Sequence, residues 1–438
     1  MDHQTNEFRD FEFPYDNPMS LGLHEFPVPY PWRFCGQESN LDTTVLVEPT
    51  NMQTSGATAQ ATGVAALVAG VYPQLSSQQI HNMVTRGCVD VASSNQNNCN
   101  GTCDGLLGSG RLDAYRALTL WGEVVRDTVF AGDVWMSADV TINPGVTATF
   151  AAGCKIHVAP DNQASGTGKI ALLVQGNLNV AGTQTDPVVF SGWCENRQKN
   201  DWSGIYVYSN AGTVTLDYLK CRNATYGVYA QKTITMSNSV VDSCYNGIVL
   251  GFNDSTIGPN VSISNTIGNG LFVYGGAAQI DGVTIEDAGL HGIDLWSVLP
   301  GTSLENITIN ESYSNGIKVS NSNVSIPPSV IVTGSKNTGV YLDNAQGQLD
   351  GVVLQGNNQA VYASLGSNIY LRNCSISGGN QGLICDGNSI IDAGTASSYG
   401  ENEFVNIRGY YANNGNANLP LNLIGNCFDG STTPASAK

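Results

Sequence analysis

A short motif recurs along most of this chain: glycine, an aliphatic residue, any residue, and a second aliphatic residue. It occurs as SGIYV, YGVYA, NGIVL, NGLFV, HGIDL, NGIKV, TGVYL, QAVYA and QGLIC, with alanine replacing glycine once. Between Gly204 and Gly382, successive motifs lie 20 to 24 residues apart. Such a repeat is typical of a solenoid, because one coil cannot bury its inward face without a neighbour. We therefore predict a parallel β-helix over residues 125–430.

Aligning the motifs on their glycine separates the two faces of each strand. Successive side chains of a strand point to opposite faces, so the two aliphatic residues point inward and the residue between them points outward. The outward residues form a mostly aromatic column of Tyr206, Tyr229, Val249, Phe272, Asp294, Lys318, Tyr341, Tyr362 and Ile384. Tyr274 and Trp296 follow two positions later, so we expect them to widen the strip.

Two explanations fit this aromatic column. Stacked rings offer flat faces on which sugar rings or polymer chains can lie, with Asp294 and Lys318 as a polar interruption. Aromatic residues also favour exposed strands and pack against one another there, which requires no ligand. Under the first explanation the ligand-binding residues are Tyr206, Tyr229, Phe272, Asp294, Trp296, Lys318, Tyr341 and Tyr362. An exposed apolar strip is worth testing under either explanation.

The repeat pattern resembles right-handed parallel β-helix proteins of the pectin-lyase-like superfamily. This resemblance implies the fold and raises the question of a polysaccharide lyase or hydrolase. Calcium-dependent lyases need several converging carboxylates and a basic residue, and glycosidases need two facing carboxylates. The acidic residues of the coils fall into different columns, so we name no metal ligand, and calcium stays open as a cofactor. Asp294 beside Lys318 is interpreted as an exposed ion pair rather than a catalytic pair.

The region before the repeats has helical patterns. NMQTSGATAQATGVAALVAG, residues 51–70, places Ser55 directly before small and aliphatic residues at helical spacing. YPQLSSQQIHNMVTRG then indicates a second helix, with Ser76 and Gln79 as a capping box and Gly87 at its end. GSGRLDAYRAL indicates a loop followed by a short third helix.

This succession of helices resembles the last part of a subtilisin-like serine protease (subtilase) domain. The matching residues are Thr54, Ser55, Ala57, Gly63, Val64, Ala65, Ala66, Leu67, Pro73, Leu75, Ser76, Gly108, Gly110, Leu112, Asp113 and Ala114. The resemblance implies that Ser55 occupies the position of the nucleophile. A serine nucleophile needs a base and an orienting carboxylate, and the family's upstream Asp and His segments are both absent from this chain. We therefore expect Ser55 to cap a helix and the chain to lack proteolytic activity.

Charge and cysteine content limit the possible binding partners and the location of the protein. Acidic residues outnumber basic residues by 36 to 18, for a net charge of −18, which argues against nucleic acid and membranes as partners. Eleven cysteines suit an extracellular or cell-surface location, where disulfides form. The N-terminus lacks the basic start and apolar core of a signal peptide, and no apolar run reaches the roughly 20 residues that span a bilayer. We expect a secreted monomer whose natural front part is missing.

These patterns divide the chain into a poorly defined segment (1–50), a subtilase-like helical remnant (51–120), a right-handed parallel β-helix (125–430) and a frayed tail (431–438). The predicted fold class is therefore mainly β. Our main hypothesis is a fragment of a secreted subtilisin-like endopeptidase whose β-helix binds a surface or a glycan, with a peptide or polysaccharide as partner. The alternatives are a polysaccharide-active lyase or hydrolase on the β-helix, and a purely adhesive or structural rod.

Overall fold

The structure is a computed structural model that describes residues 54–71, 77–89, 109–159, 168–193, 197–415 and 421–430. The predictions for residues 1–50 and 431–438 lie outside this part of the chain. The chain divides into two compact units, with the main boundary after Trp121. The first unit contains the α-helices, and the second contains the stacked β-strands.

The three helices of the first unit are α1 (Thr54–Val71), α2 (Ser77–Gly87) and α3 (Ala114–Leu118). Their buried core consists of Val64, Val68, Val84, Ala114 and Ala117. A Cβ on Gly87 would lie 2.6 Å from the backbone nitrogen of Ala117, so glycine allows α2 and α3 to approach closely. Asp113 caps α3 by accepting a hydrogen bond of 3.0 Å from the backbone N–H of Arg116. The structure therefore has a helix in each of the three predicted segments.

Thirty-seven strands lie in the described residues. The first eighteen are β1 (Leu120–Val124), β2 (Thr128–Phe130), β3 (Asp133–Ile142), β4 (Thr147–Ala151), β5 (Lys155–Val158), β6 (Ala171–Val174), β7 (Asn177–Ala181), β8 (Val188–Gly192), β9 (Trp202–Val207), β10 (Val214–Asp217), β11 (Leu219–Arg222), β12 (Ala224–Ala230), β13 (Thr235–Ser237), β14 (Val240–Asp242), β15 (Asn246–Gly251), β16 (Thr256–Ile257), β17 (Val261–Thr266) and β18 (Leu271–Tyr274).

The remaining strands are β19 (Gln279–Asp281), β20 (Val283–Ala288), β21 (Ile293–Trp296), β22 (Ser303–Glu305), β23 (Ile307–Asn310), β24 (Ile317–Ser320), β25 (Asn323–Ile326), β26 (Val330–Thr333), β27 (Thr338–Asp343), β28 (Gln346–Asp350), β29 (Val353–Gln355), β30 (Gln359–Ser364), β31 (Asn368–Arg372), β32 (Ser375–Ser377), β33 (Gln381–Cys385), β34 (Ile390–Asp392), β35 (Glu403–Val405), β36 (Tyr410–Asn414) and β37 (Cys427–Phe428).

Most of these strands stack in three parallel sheets, to which successive coils contribute one strand each. Sheet 1 contains β6, β9, β12, β15, β18, β21, β24, β27, β30, β33 and β36. Sheet 2 contains β5, β8, β11, β14, β17, β20, β23, β26, β29, β32, β35 and β37. Sheet 3 consists of two parts. The first contains β2, β4, β7, β10, β13, β16, β19 and β22, and the second contains β25, β28, β31 and β34. This is a right-handed parallel β-helix, so the predicted fold class is confirmed.

The core of the β-helix is the stack of inward side chains between the sheets. The predicted inward residues Ile205, Val207, Ile248, Leu250, Leu271, Val273, Ile293 and Leu295 are all buried. Each such side chain stabilises the fold by roughly 1.5–3 kcal/mol. A Cβ on Gly247 would lie 2.2 Å from the carbonyl oxygen of Gly270 on the next coil. The recurring glycine therefore allows neighbouring coils to approach one another.

Asparagine side chains also join successive coils at the turns. Asn238 and Asn260 both have positive φ, 48° and 58°, a backbone conformation that asparagine tolerates better than most residues. The Nδ2 of Asn260 donates a hydrogen bond of 2.9 Å to Oδ1 of Asn238. Asn344 donates in the same way to Oδ1 of Asn321 at 2.7 Å. These amide contacts help to keep neighbouring coils in register.

Candidate functional site

The outward positions of sheet 1 form one continuous row, which we call the sheet 1 column. Backbone pairing places neighbouring members opposite each other, in the order Leu173, Tyr206, Tyr229, Val249, Phe272, Asp294, Lys318, Tyr341, Tyr362 and Ile384. Paired strands lie about 4.8 Å apart, so side chains on adjacent coils can touch. The predicted alignment of the column is confirmed, whereas ligand binding by its residues stays a prediction.

Aromatic side chains at the N-terminal end of the column form the aromatic patch, which consists of Tyr206, Tyr226, Tyr229, Phe252, Phe272 and Tyr274. The ring centroids of Tyr206 and Tyr229 are 5.3 Å apart, and Tyr226 lies 5.5 Å from Tyr229. The Phe272 and Tyr274 rings are also 5.3 Å apart. Phe252 is 74% exposed, and the other rings are half-buried. The patch therefore presents partly exposed ring surface over several coils.

A glycine allows the two parts of this patch to meet. Tyr229 and Tyr274 lie two coils apart, and their hydroxyl oxygens are 2.8 Å apart. Gly251 lies on the coil between them, and a Cβ there would be 2.3 Å from Cζ of Tyr274. Gln231 also donates to the Tyr229 hydroxyl, at 3.1 Å. The absence of a side chain at Gly251 thus leaves room for the Tyr274 ring.

A second set of rings lies at the C-terminal end of the column. Tyr341 and Tyr362, which we call the tyrosine pair, have ring centroids 5.3 Å apart in an edge-to-face arrangement. The Tyr341 hydroxyl is 2.9 Å from Oγ of Ser364, and the Tyr362 hydroxyl donates to Oδ2 of Asp386 at 3.1 Å. Each tyrosine hydroxyl is therefore held by a hydrogen bond.

A parallel row beside the column contains the two residues predicted to widen it. Tyr274, Trp296, Ser320 and Asp343 lie opposite one another on successive coils. The Trp296 side chain is 47% exposed. The buried Oγ of Ser320 has no hydrogen-bond partner in the described structure. This row therefore adds an exposed indole to the same face, with a buried, unpaired hydroxyl beside it.

Between the aromatic patch and the tyrosine pair lies the polar centre, which consists of Asn269, His291, Asp294 and Lys318. The prediction that Asp294 forms an exposed ion pair is wrong. Its side chain is only 8% exposed, and no ion pair with Lys318 is found in the described structure. Asn269 Nδ2 donates to Asp294 Oδ2 at 3.4 Å, while the buried Oδ1 has no partner among the described residues.

Burial also determines the charge state of this carboxyl group. Loss of hydration raises the pKa of Asp294 above its ordinary value, because the charged form is disfavoured away from water. The ammonium of Lys318 and the amide of Asn269 act in the opposite direction and only partly offset the effect of burial. Asp294 is therefore a stronger base, when ionised, than a solvated aspartate.

His291 belongs to this centre but was missed in the sequence. It is 8% exposed, and its Nδ1 accepts a hydrogen bond of 3.3 Å from the backbone N–H of Asn315. Its own backbone N–H donates to Oδ1 of Asn269 at 3.2 Å. Burial, with a smaller effect of Lys318, lowers the pKa of His291 to about 4. The sequence did contain a signal for His291. The repeat motif of this coil begins with His-Gly, whereas neighbouring coils have Asn-Gly, as at Asn246 and Asn315.

The polar centre can therefore offer three kinds of group to a ligand. An imidazole that accepts at Nδ1 carries its proton on Nε2 when it is neutral, so His291 presents an uncharged N–H donor. Asp294 contributes a carboxyl group whose Oδ1 is buried and without a partner in the described structure, and Lys318 contributes an ammonium. Donors, a cation and a basic oxygen next to aromatic rings can bind a polar molecule and transfer a proton.

No group of three or more His, Cys, Asp or Glu residues is placed to hold a metal ion in the part of the chain that the structure describes. Calcium as a cofactor stays a prediction. Among the same residues, no helix is long and apolar enough to cross a membrane.

Ser55 is the residue of the first region that the sequence singled out. Ser55 is the second residue of α1, and its side chain lies outside the described residues. Its role as a nucleophile or as a cap therefore stays a prediction.

Seven cysteines are described, including Cys221 and Cys244 of the β-helix, and all seven are free thiols. The expected disulfides are thus not found among them.

Comparisons with known proteins agree with the fold. Residues 246–431 match the family model described as "Right handed beta helix region". No curated protein matches the chain. None of the matches found is to a subtilase.

Two solved structures match the chain. The A-module of mannuronan C-5 epimerase AlgE4 from Azotobacter vinelandii is 16% identical, with 79% of this chain and 97% of that chain covered and a TM-score of 0.44. An alginate lyase from Paenibacillus sp. str. FPU-7 is 15% identical, with 63% and 97% covered and a TM-score of 0.19. At these TM-scores neither likeness carries an argument about function.

Proposed function

We propose that the β-helix binds a polysaccharide along the sheet 1 column and acts on it at the polar centre. One observation carries this proposal. Partly exposed aromatic rings stand in register on both sides of a buried cluster whose carboxyl oxygen has no partner in the described structure. A chain laid along the column would meet the aromatic patch, the polar centre and the tyrosine pair in turn.

The chemistry of sugars suits such a surface. The apolar face of a sugar ring stacks on an aromatic ring, while its hydroxyl groups hydrogen-bond to polar side chains. The strand spacing of about 4.8 Å is close to the length of one sugar unit in an extended chain, so consecutive sugars would meet consecutive coils. Hydrogen bonds such as that between the Tyr229 and Tyr274 hydroxyls hold the rings before binding, which reduces the entropy lost on association.

The alternative function, a purely adhesive or structural rod, explains the stacked rings of this surface but not its unpaired buried atoms. Ring stacking alone would stabilise sheet 1 without a ligand. An unpaired buried polar atom, however, costs about 1–3 kcal/mol of stability, and Oδ1 of Asp294 and Oγ of Ser320 are two such atoms on the same face. Ring stacking accounts for neither of them.

Binding to a panel of neutral and acidic polysaccharides tests the proposal. The informative variant is Tyr229→Ala with Phe272→Ala, which removes two rings of the aromatic patch. Tyr370→Ala is the matched control, because Tyr370 is an exposed tyrosine of β31 in sheet 3. We expect at least one polysaccharide to bind, with about tenfold weaker affinity in the double variant and unchanged affinity in the control. Binding of no polysaccharide, or equal binding by the double variant, would contradict the proposal.

The first unit calls for a separate test. We propose that this chain has no protease activity, because the family's Asp and His segments are absent from its sequence. A fluorophosphonate should then label neither the wild-type chain nor Ser55→Ala. Labelling that disappears in Ser55→Ala would show that Ser55 is an activated nucleophile. An extracellular location is likewise a proposal, which rests on charge and cysteine content.

A further inference from the structure

A second surface of the β-helix lies at the turn that leads from sheet 2 into sheet 1. On four successive coils this turn carries a large, exposed apolar side chain, and we call these residues the turn ridge: Tyr245, Ile267, Leu290 and Tyr313. Their exposed fractions are 43%, 46%, 43% and 73%. Single exposed apolar residues are common, but a row of them is typical of a surface that another molecule covers.

Backbone hydrogen bonds stack these turns directly on one another. The backbone N–H of Gly268 donates to the carbonyl oxygen of Tyr245 at 2.6 Å, and that of Leu290 donates to Gly268 at 3.0 Å. Ser314, which follows Tyr313, donates in the same way to Leu290 at 2.8 Å. The turn ridge therefore follows the axis of the β-helix, with one apolar residue per coil and a coil spacing of about 4.8 Å.

Carboxylates flank the turn ridge on the side of sheet 2. Glu286 and Asp287 lie near the end of β20, just before Leu290, and Glu311 lies two residues before Tyr313. All three acidic side chains are exposed. No ion pair is found for any of them in the part of the chain that the structure describes. Their negative charge is therefore available to a partner.

One of these carboxylates occupies a backbone position that suits glycine better. Glu311 has a positive φ of 56°. The residues that make the corresponding backbone hydrogen bond on the next two coils are Gly334 and Gly356, with φ of 67° and 66°. A glutamate in this left-handed conformation is strained, and such strain is concentrated at functional positions. The turn thus carries a negative charge beside the ridge where glycine would be the relaxed choice.

The charge of this region indicates what kind of molecule covers the ridge. Residues 240–315 contain eight acidic residues and no lysine or arginine. Such a surface repels anionic lipid head groups, and it repels a second copy of this chain, whose net charge is also −18. An apolar row beside unpaired carboxylates instead suits a partner that is both apolar and cationic.

The spacing of the ridge favours one secondary structure in that partner. One turn of an α-helix advances 5.4 Å, which is close to the coil spacing of about 4.8 Å. Apolar side chains one turn apart on a helix would therefore meet successive members of the ridge. An extended strand presents side chains to one face about every 6.7 Å, which does not match the coils.

We infer that the turn ridge binds a cationic amphipathic helix of a partner protein. The apolar face of the helix lies on the four ridge residues, and its lysine or arginine side chains pair with the carboxylates of Glu286, Asp287 and Glu311. This surface is separate from the sheet 1 column, so the inference does not depend on polysaccharide binding.

A synthetic peptide serves as the probe for this surface. It has about 14 residues, or roughly four helical turns, with one leucine per turn on one face and lysines beside them. A second peptide of the same composition has its residues shuffled, so that the leucines form no stripe. Fluorescence anisotropy with the full chain measures both affinities. We expect the striped peptide to bind about tenfold or more tightly than the shuffled one.

Paired variants test the apolar part of the ridge. Leu290→Ser with Tyr313→Ser removes two of its four side chains. The matched control is Ile390→Ser with Tyr370→Ser, which removes an exposed aliphatic residue and an exposed tyrosine from sheet 3. We expect affinity for the striped peptide to fall about tenfold in the ridge variant and to stay unchanged in the control. Thermal unfolding establishes that each variant is folded.

A second pair of variants tests the carboxylates. Glu286→Gln with Glu311→Gln should weaken binding of the striped peptide about fivefold at low salt, and by less at high salt, where charges are screened. Glu305→Gln with Glu403→Gln changes the net charge equally at two other exposed glutamates and should leave the affinity unchanged.

Several results would overturn the inference. Equal binding of the striped and shuffled peptides, or an equal loss of affinity in the ridge variants and their controls, would mean that only the overall charge attracts the peptide. A dimer of the chain alone in sedimentation, abolished by Leu290→Ser with Tyr313→Ser, would assign the ridge to a second copy. Binding to phosphatidylcholine vesicles that is lost in the same variant would assign it to a lipid surface.

Discussion

The hydroxyl oxygen of Tyr229 lies 2.8 Å from that of Tyr274, although the two residues are separated by a full coil of the β-helix. The intervening coil has glycine, Gly251, at the position opposite Tyr274. A missing side chain therefore allows a hydrogen bond that joins the two parts of the aromatic patch. The contact thus connects rings on coils that are not adjacent, and its consequences can be measured.

Substitution of Gly251 should disturb the aromatic patch. In Gly251→Ala the new Cβ would lie 2.3 Å from Cζ of Tyr274, so the ring has to move and the contact with Tyr229 is lost. We expect the free energy of unfolding in urea to fall by about 1 kcal/mol and polysaccharide binding to weaken. Tyr274→Phe removes only the hydroxyl and should have a smaller effect. Full binding by Gly251→Ala would show that the patch does not contact the ligand.

Removal of Trp296 should affect binding but not folding. The indole is 47% exposed and stands beside the polar centre. In Trp296→Ala we expect the free energy of unfolding to change by no more than about 0.5 kcal/mol, since exposed side chains contribute little to stability. Polysaccharide affinity, measured by calorimetry, should fall about tenfold. An equal loss of affinity in Tyr370→Ala would mean that the effect is not specific to this face.

His291 should make the stability of the protein depend on pH. The pKa of His291 is about 4 in the folded state, against 6.5 for a fully hydrated histidine, so the unfolded chain binds a proton that the folded chain does not. Its contribution to stability is present above pH 6.5 and is lost as the pH falls toward 4. We expect a loss of about 3 kcal/mol over this range, measured by urea unfolding at several pH values.

His291→Asn should remove this part of the pH dependence. Lys318 and Asp294 are the charged or titratable groups beside His291 on sheet 1, and both remain in the variant. His81→Asn, at an exposed position of α2, is the control variant. A profile in His291→Asn identical to that of the wild type would refute the assignment.

Asp294 should stabilise the fold less when it is charged. Its folded pKa is raised, so its favourable contribution is present below the unfolded pKa and is lost as the pH rises through the folded pKa. At pH 7 we therefore expect Asp294→Asn to raise the free energy of unfolding by about 1 kcal/mol. Asp343→Asn, a half-buried position on the same face, should not do so. A destabilised Asp294→Asn at neutral pH would argue that the carboxylate has a structural role.

The coils, their register and the outward column were predictable because each depends on a pattern within a few residues. The glycine of each motif marks a close approach, and the alternating residues after it mark the two faces of a strand. Tyr341 and Tyr362 could therefore be placed on adjacent coils from spacing alone. In contrast, a nucleophilic role for Ser55 would depend on a base and a carboxylate from elsewhere in the fold. No local sequence pattern supplies those partners.

The sequence by itself determined the β-helix and the composition of its aromatic column, because inward packing repeats once per coil. Only the tertiary structure decided that Asp294 is buried, that it is not paired with Lys318 in the described structure, and that His291 joins it. Those properties depend on Asn269 and Asn315, which are one coil away and more than twenty residues distant in sequence. Burial and hydrogen bonding are set by such neighbours in space, so a residue's charge state cannot be read from its position in the repeat.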